Sequence, residues 1–225
     1  MSESQQPTER WRTLVVVLTM AATVILSIVA GLQADADIRA DSANRDSHYY
    51  AIRASGELFR QGARSSYELA TFASLTKDLQ ESLALGLTAL EQEAAGATAS
   101  AASAQALADA AAARAERTRS LSVYYTDPAY APDEPDGLPD LQAFMDDSFA
   151  PVNELVVQQN EAADAYQRWS RKSDGYVAVL ALMAVALVLF GLAQAASVRT
   201  RRTFTIFGAV VLIASTVWAA SILLG

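Results

Sequence analysis

The residues of this chain that could do chemistry are few and scattered. His48 is the only histidine. It sits in Asp46-Ser-His-Tyr-Tyr50, where the aspartate could orient it as a base or share a metal with it. A metal site draws several ligands from His, Cys and carboxylates. The chain has no cysteine and no second histidine, so His48 reads as a side chain on a helix flank. The second cluster is acidic: Asp133-Glu-Pro-Asp-Gly137, with Asp127 and Asp140 nearby. Carboxylates at that density could hold Ca²⁺. However, Pro132 stands where the first EF-hand ligand would be, and Pro135 interrupts the run. A solvated acidic loop is expected instead. No Gly-rich phosphate loop, Gly-x-Ser-x-Gly or His-Glu-x-x-His is present. The 22 Asp and Glu between Gln33 and Ser170 set no catalytic pair apart. No enzyme activity, cofactor or metal is expected.

What must position these residues is a membrane layout. Apolar residues gather in three blocks, Thr13 to Ala34, Tyr176 to Val198 and Thr203 to Gly225, none carrying a charge. Each is long enough to cross a hydrocarbon core as a helix, which takes about 20 residues. The first is too long for the apolar part of a signal peptide, and Ala34-Asp-Ala36 is its only passable cleavage site, so it reads as retained. The chain divides into an N-tail (1–12), a first span (13–34), a helical extramembrane segment (35–174) with a loop at 127–139, a second span (175–198), an arginine turn (199–202) and a third span (203–225).

Orientation follows from Arg and Lys near the membrane. Arg10, Arg12, Arg199, Arg201 and Arg202 lie in short segments, where the rule holds best, and are read as topology anchors. Arg39, Arg45, Arg168, Arg171 and Lys172 flank a long segment that can translocate regardless of charge. The N-terminus is therefore expected inside the inner (plasma) membrane, and residues 35–174 outside. From Gln33 to Ser170, nearly all of that outer segment, 22 acidic residues stand against 10 basic. So acidic a surface repels phosphate backbones, and nucleic-acid binding is excluded.

Within the spans, Thr19, Thr23, Ser27 and Gly31 recur every four residues and form a candidate helix-packing stripe. It would serve packing among the three spans or an oligomer interface. Gly208, Ser215 and Ala219 form a shorter stripe in the third. The absence of charged side chains speaks against a pump or coupled transporter.

In the extramembrane segment, Ile38, Ser42, Arg45, Tyr49, Ile52, Gly56, Phe59 and Ala63 follow helical spacing. Leu69, Phe72, Thr76, Leu79, Leu83, Gly86 and Leu90 continue it. Gly56 and Gly62 could mark a turn. The i,i+4 charge pairs that span them favour one helix running to about Ala94. An Ala-rich helix to about Tyr125, the loop, a short helix over 140–149 and a new helix opening at Pro151 should follow. The last is expected to run unbroken into the second span. Two all-α architectures fit: a long coiled-coil-like hairpin, which is preferred, and a compact four-helix bundle.

One membrane helix, then Tyr49-Tyr-Ala-Ile-Arg53, a long charged helical segment, and two membrane helices around Arg199-Thr-Arg-Arg202: this layout resembles an uncharacterised family of small bacterial membrane proteins, a domain of unknown function. The resemblance implies three spans and brings no activity or site residues with it. The role expected is a non-catalytic scaffold or accessory subunit acting through helix–helix contacts, with the lipid bilayer and either a second copy or another membrane protein as partners. The alternatives are a ligand-sensing extracytoplasmic bundle and an oligomeric pore lined by the Thr19/Thr23/Ser27/Gly31 stripe.

Overall fold

The computed structural model describes residues 6–134 and 137–224, with side chains for all of these except 6–10 and 198. The described residues form helices and their connections, without a strand. They are α1 (Gln6–Ala94), α2 (Thr98–Leu121), α3 (Val123–Thr126), α4 (Leu141–Ala195) and α5 (Val198–Leu224). The stretches of α1, α4 and α5 read as spans are long and apolar enough to cross a membrane.

No break occurs in α1 at Gly56 or Gly62. A Cβ at either glycine would meet nothing within 4 Å, so no close packing demands them. The chain turns instead at Gly96, whose φ of +78° suits glycine. There the Gly96 amide bonds to the Glu93 carbonyl and the Ala97 amide to the Gln92 carbonyl, both at 2.9 Å. These two bonds form a Schellman cap, which satisfies the last carbonyls of α1.

The chain folds as two units, residues 1–49 with 158–225, and residues 50–157. In the first, α1 contributes Val15, Ala22, Val29 and Ala36 at seven-residue spacing, with Leu18, Ile25 and Leu32 beside them. Tyr176, Val179, Met183, Ala186, Phe190 and Ala193 of α4 complete the seam with Leu212 and Ala219 of α5. Gly208 lets α5 approach closely, since a Cβ there would stand 2.7 Å from the Phe190 ring. The Gly208/Ser215/Ala219 stripe thus lies within the chain's own packing, Ser215 being wholly buried.

In the second unit α2 runs antiparallel to α1. Arg114 bonds to Asp78 at 3.4 Å and Glu81 at 3.0 Å, and Ser122 reaches Glu68. The α2 face is alanine alone: Ala101, Ala104, Ala108, Ala111 and Ala115. Along this unit α1 buries Ala54, Gln61, Glu68, Leu75 and Ala89, which keep one seven-residue register. Small side chains bring the helix axes close. They also leave little apolar area to bury per residue.

Two expectations are corrected here. No helix opens at Pro151; α4 runs through it. The buried row Phe144, Ser148 and Val152 continues on one face past the exposed proline. Burying Phe144 and Val152 contributes about 1.5–3 kcal/mol each, enough to offset the roughly 3 kcal/mol cost of an interior proline. Nor are residues 199–202 a turn. The connection is Ala196-Ser197, and the arginines stand in the first turns of α5. The Ala-rich helix ends at Leu121, four residues before Tyr125, because Ser122 breaks it.

Candidate functional site

His48 is exposed on α1, and Asp46, two residues away, points to a different side of the helix. In the acidic loop, Asp127 accepts from the Ala129 amide at 3.0 Å, and Asp140 caps α4 by accepting from the Ala143 amide at 2.9 Å. Pro135 and Asp136 lie outside the described residues. Among the described residues no three His, Cys, Asp or Glu side chains gather as metal ligands would.

The arginine end of the first unit is more organised. Ala193 and Ala196 stand at the C-terminus of α4, where carbonyls lack helical partners. Arg201 folds back on both: Nε donates to the Ala193 oxygen and Nη2 to the Ala196 oxygen, each at 3.0 Å. Cations are favoured at this end of a helix. Arg202 lies over the Trp11 ring, 5.9 Å from its centre, and Arg199 is exposed. A groove of about 340 Å³ beside them is lined by Arg12, Val15, Val16, Gln194 and Arg201. Arg10 lies outside the described side chains. Sequence reading took these arginines as topology anchors alone. The signal for Arg201 was its place just past the last apolar turn of the second span, within reach of carbonyls that need donors.

A second polar layer marks the other end of the same three helices. Gln33 Nε2 donates to Ser173 Oγ at 3.3 Å. The Trp169 ring takes Arg39 at 4.8 Å and Lys172 at 5.5 Å from its centre. From Trp11 to Arg39 along α1 is roughly 28 residues, or about 42 Å of helix rise, close to a bilayer with its headgroups. Aromatic and basic residues at both boundaries are what such a layer favours.

The Thr19/Thr23/Ser27/Gly31 stripe stands outside the seam of the three helices. Thr23, Ser27 and Gly31 are exposed, and Thr19 is half-buried. The Thr19, Thr23 and Ser27 hydroxyls donate to carbonyls four residues back, at 2.8–2.9 Å. A Cβ on Gly31 would meet nothing within 4 Å.

The second unit holds a buried carboxylate and an open groove. Glu68 is 2% exposed, and its Oε2 accepts from Ser122 Oγ at 2.7 Å and the Val123 amide at 3.1 Å. Ser122 in turn caps α3 by accepting from the Tyr124 amide at 3.3 Å. Around this clasp, Phe144 meets Tyr124 and Tyr130 edge-on at 4.8 and 5.4 Å, and Arg64 lies over its ring. Burial and the nearby Glu68 charge push the Tyr124 phenol up. The groove, about 680 Å³, is lined among others by Phe72, Leu79, Leu83, Arg119, Tyr125 and Leu138.

Beside that groove the apolar row read from the sequence faces outward. Ile52, Phe59, Leu83 and Leu90 each expose 63–81% of their surface. The buried face of α1 is the small, polar row that starts at Ala54. Sequence reading missed that row because alanine, glutamine and glutamate give no hydropathy contrast.

This is an all-α chain with three helices that suit a multi-pass membrane protein. No protein-family model, curated protein or solved structure matches it.

Proposed function

We propose that this chain is a non-catalytic protein of the bacterial inner membrane that acts as a self-associating scaffold, or accessory subunit, through helix–helix contacts. In this reading its N-terminus and arginine-bearing end are cytoplasmic, and residues 35–174 are extracytoplasmic. The balance of arginines in the short segments supports that orientation.

One observation carries the proposal: the outward apolar row of α1 in the second unit. Large contiguous apolar exposure outside a membrane marks an interaction surface. Leu69, Leu83 and Leu90 are all exposed and share one heptad position of α1, the spacing a partner helix requires. The occupant is α1 of a second copy, which presents the same row and so makes a self-complementary pair. The alanine seam within each copy buries little area, so a second seam adds the apolar burial it lacks.

The chain has no cysteine, so single introduced thiols report contacts cleanly. Leu83→Cys and Leu90→Cys should form disulfide-linked dimers in membranes under mild oxidation. Ala104→Cys, buried in the internal seam, should not. Equal cross-linking at all three would show collision and not docking.

A second reading, a ligand-sensing bundle, is favoured by the groove, whose roughly 680 Å³ falls in the range of small-molecule sites. A compound that raises the melting temperature of the full chain and loses its effect in Tyr125→Ala would favour it.

A further inference from the structure

The arginine end of the first unit holds a cation that its own fold leaves incompletely satisfied. Arg201 is 8% exposed. A guanidinium carries five N–H donors. Two nitrogens cap α4, as described, while Nη1 is buried with no hydrogen-bond partner. An unmet donor on a buried cation is costly. Arg201 lines the groove together with Arg12, Gln194, Val15 and Val16. Among the described residues, no carboxylate pairs with Arg12 or Arg201. Glu3 and Glu9 lie outside the described side chains.

We infer that this groove binds a phosphate group, and that its occupant is the headgroup of an anionic phospholipid. Guanidinium forks match phosphate oxygens in charge and geometry. Two of them with an amide donor supply more hydrogen bonds than a single counter-ion needs. The valines decide the source. Val15 and Val16 belong to the first apolar stretch, so the lining joins polar donors to apolar side chains, as a headgroup joins its acyl chain. A free phosphate would use the donors and leave the valines idle. Basic pockets between membrane helices are known to take phosphate headgroups in this way. The inference rests on the membrane reading of the three helices and is independent of docking through α1.

The test uses the full chain in a neutral maltoside detergent, with lipid binding followed by native mass spectrometry. Phosphatidylglycerol should bind, while diacylglycerol and inorganic phosphate at equal concentration should not. Arg12→Gln and Gln194→Leu should each weaken phosphatidylglycerol binding about tenfold or more, the worth of a hydrogen bond to a charged group. Arg201→Gln should do the same. Because it also removes a helix cap, the two exposed positions decide if that variant does not fold. Arg199→Gln loses the same charge outside the groove and should keep native affinity. Equal weakening by Arg199→Gln would reduce the site to diffuse positive charge and overturn the inference. Unchanged binding in Arg12→Gln and Gln194→Leu would overturn it too, as would binding that appears only in Glu9→Gln. Displacement of the lipid by inorganic phosphate would overturn the lipid as occupant.

Discussion

The Ser122 hydroxyl donates to the Glu68 carboxylate at 2.7 Å, tying the break after α2 to the middle of α1 across 54 residues of chain. Both side chains are buried, at 0% and 2% exposure. The hydroxyl is also the cap of α3, so one serine closes two structures. Ser122→Ala should destabilise the second unit by about 2–4 kcal/mol, since it strands a buried carboxylate and removes a cap. Glu68→Gln, whose amide oxygen can still accept, should cost less. Urea unfolding of the full chain in detergent, followed by circular dichroism, orders the two. A loss in Glu68→Gln equal to that in Ser122→Ala would show that charge, and not acceptor geometry, holds the clasp.

Tyr124 gives the clasp an alkaline limit. Burial first, and then the Glu68 charge, raise its phenol above the ordinary tyrosine value of 10. Below that value the proton is on in both folded and unfolded chains, and this contribution to stability is whole. As pH climbs from about 10 through the raised folded value, the unfolded chain ionises first and stability falls. Melting temperature should therefore drop over this window. Tyr124→Phe should make the drop shallower without abolishing it, because Tyr125 and Tyr130 are raised as well. An identical slope in Tyr124→Phe would place the alkaline loss elsewhere.

Two glycines of the spans should respond in opposite ways. Gly208→Ala puts a methyl 2.7 Å from the Phe190 ring and should cost about 1–3 kcal/mol through overpacking. Phe190→Leu in the same chain should recover part of that loss. Gly31→Ala meets nothing within 4 Å and should be neutral, or stabilising by up to about 1 kcal/mol from helix propensity. Thermal unfolding in detergent separates them. A destabilising Gly31→Ala would show that the outward stripe packs against something in the assembled protein.

The helices were legible in the sequence, while the faces they bury were not. Apolar length picked out the three helical stretches long and apolar enough to cross a membrane, and charge pairs across Gly56 and Gly62 favoured the one long helix that α1 is. Inside the first apolar stretch nearly every position is apolar, so Val15, Ala22 and Val29 had no contrast with their outward-facing neighbours. Thr19, Thr23, Ser27 and Gly31 differ chemically from that background but lie outside the seam. Outside the spans the contrast misled in the other direction. Leucines marked a row that faces outward, because alanines on α2 seat the hairpin on the small residues of α1. Pro151 looked like a helix start because local geometry favours one there, and packing of Phe144 and Val152 overrode it. Arg201 was visible as a charge. Its cap on Ala193 and Ala196 required knowing where α4 stops.

The mass of the full chain in detergent, by light scattering on a size-exclusion column, tests the scaffold reading most directly. The outward row predicts a dimer or larger assembly. Leu83→Glu with Leu90→Glu should reduce it to a monomer while circular dichroism shows the helices intact. A native chain that is monomeric at every concentration, or an assembly indifferent to both substitutions, would contradict it.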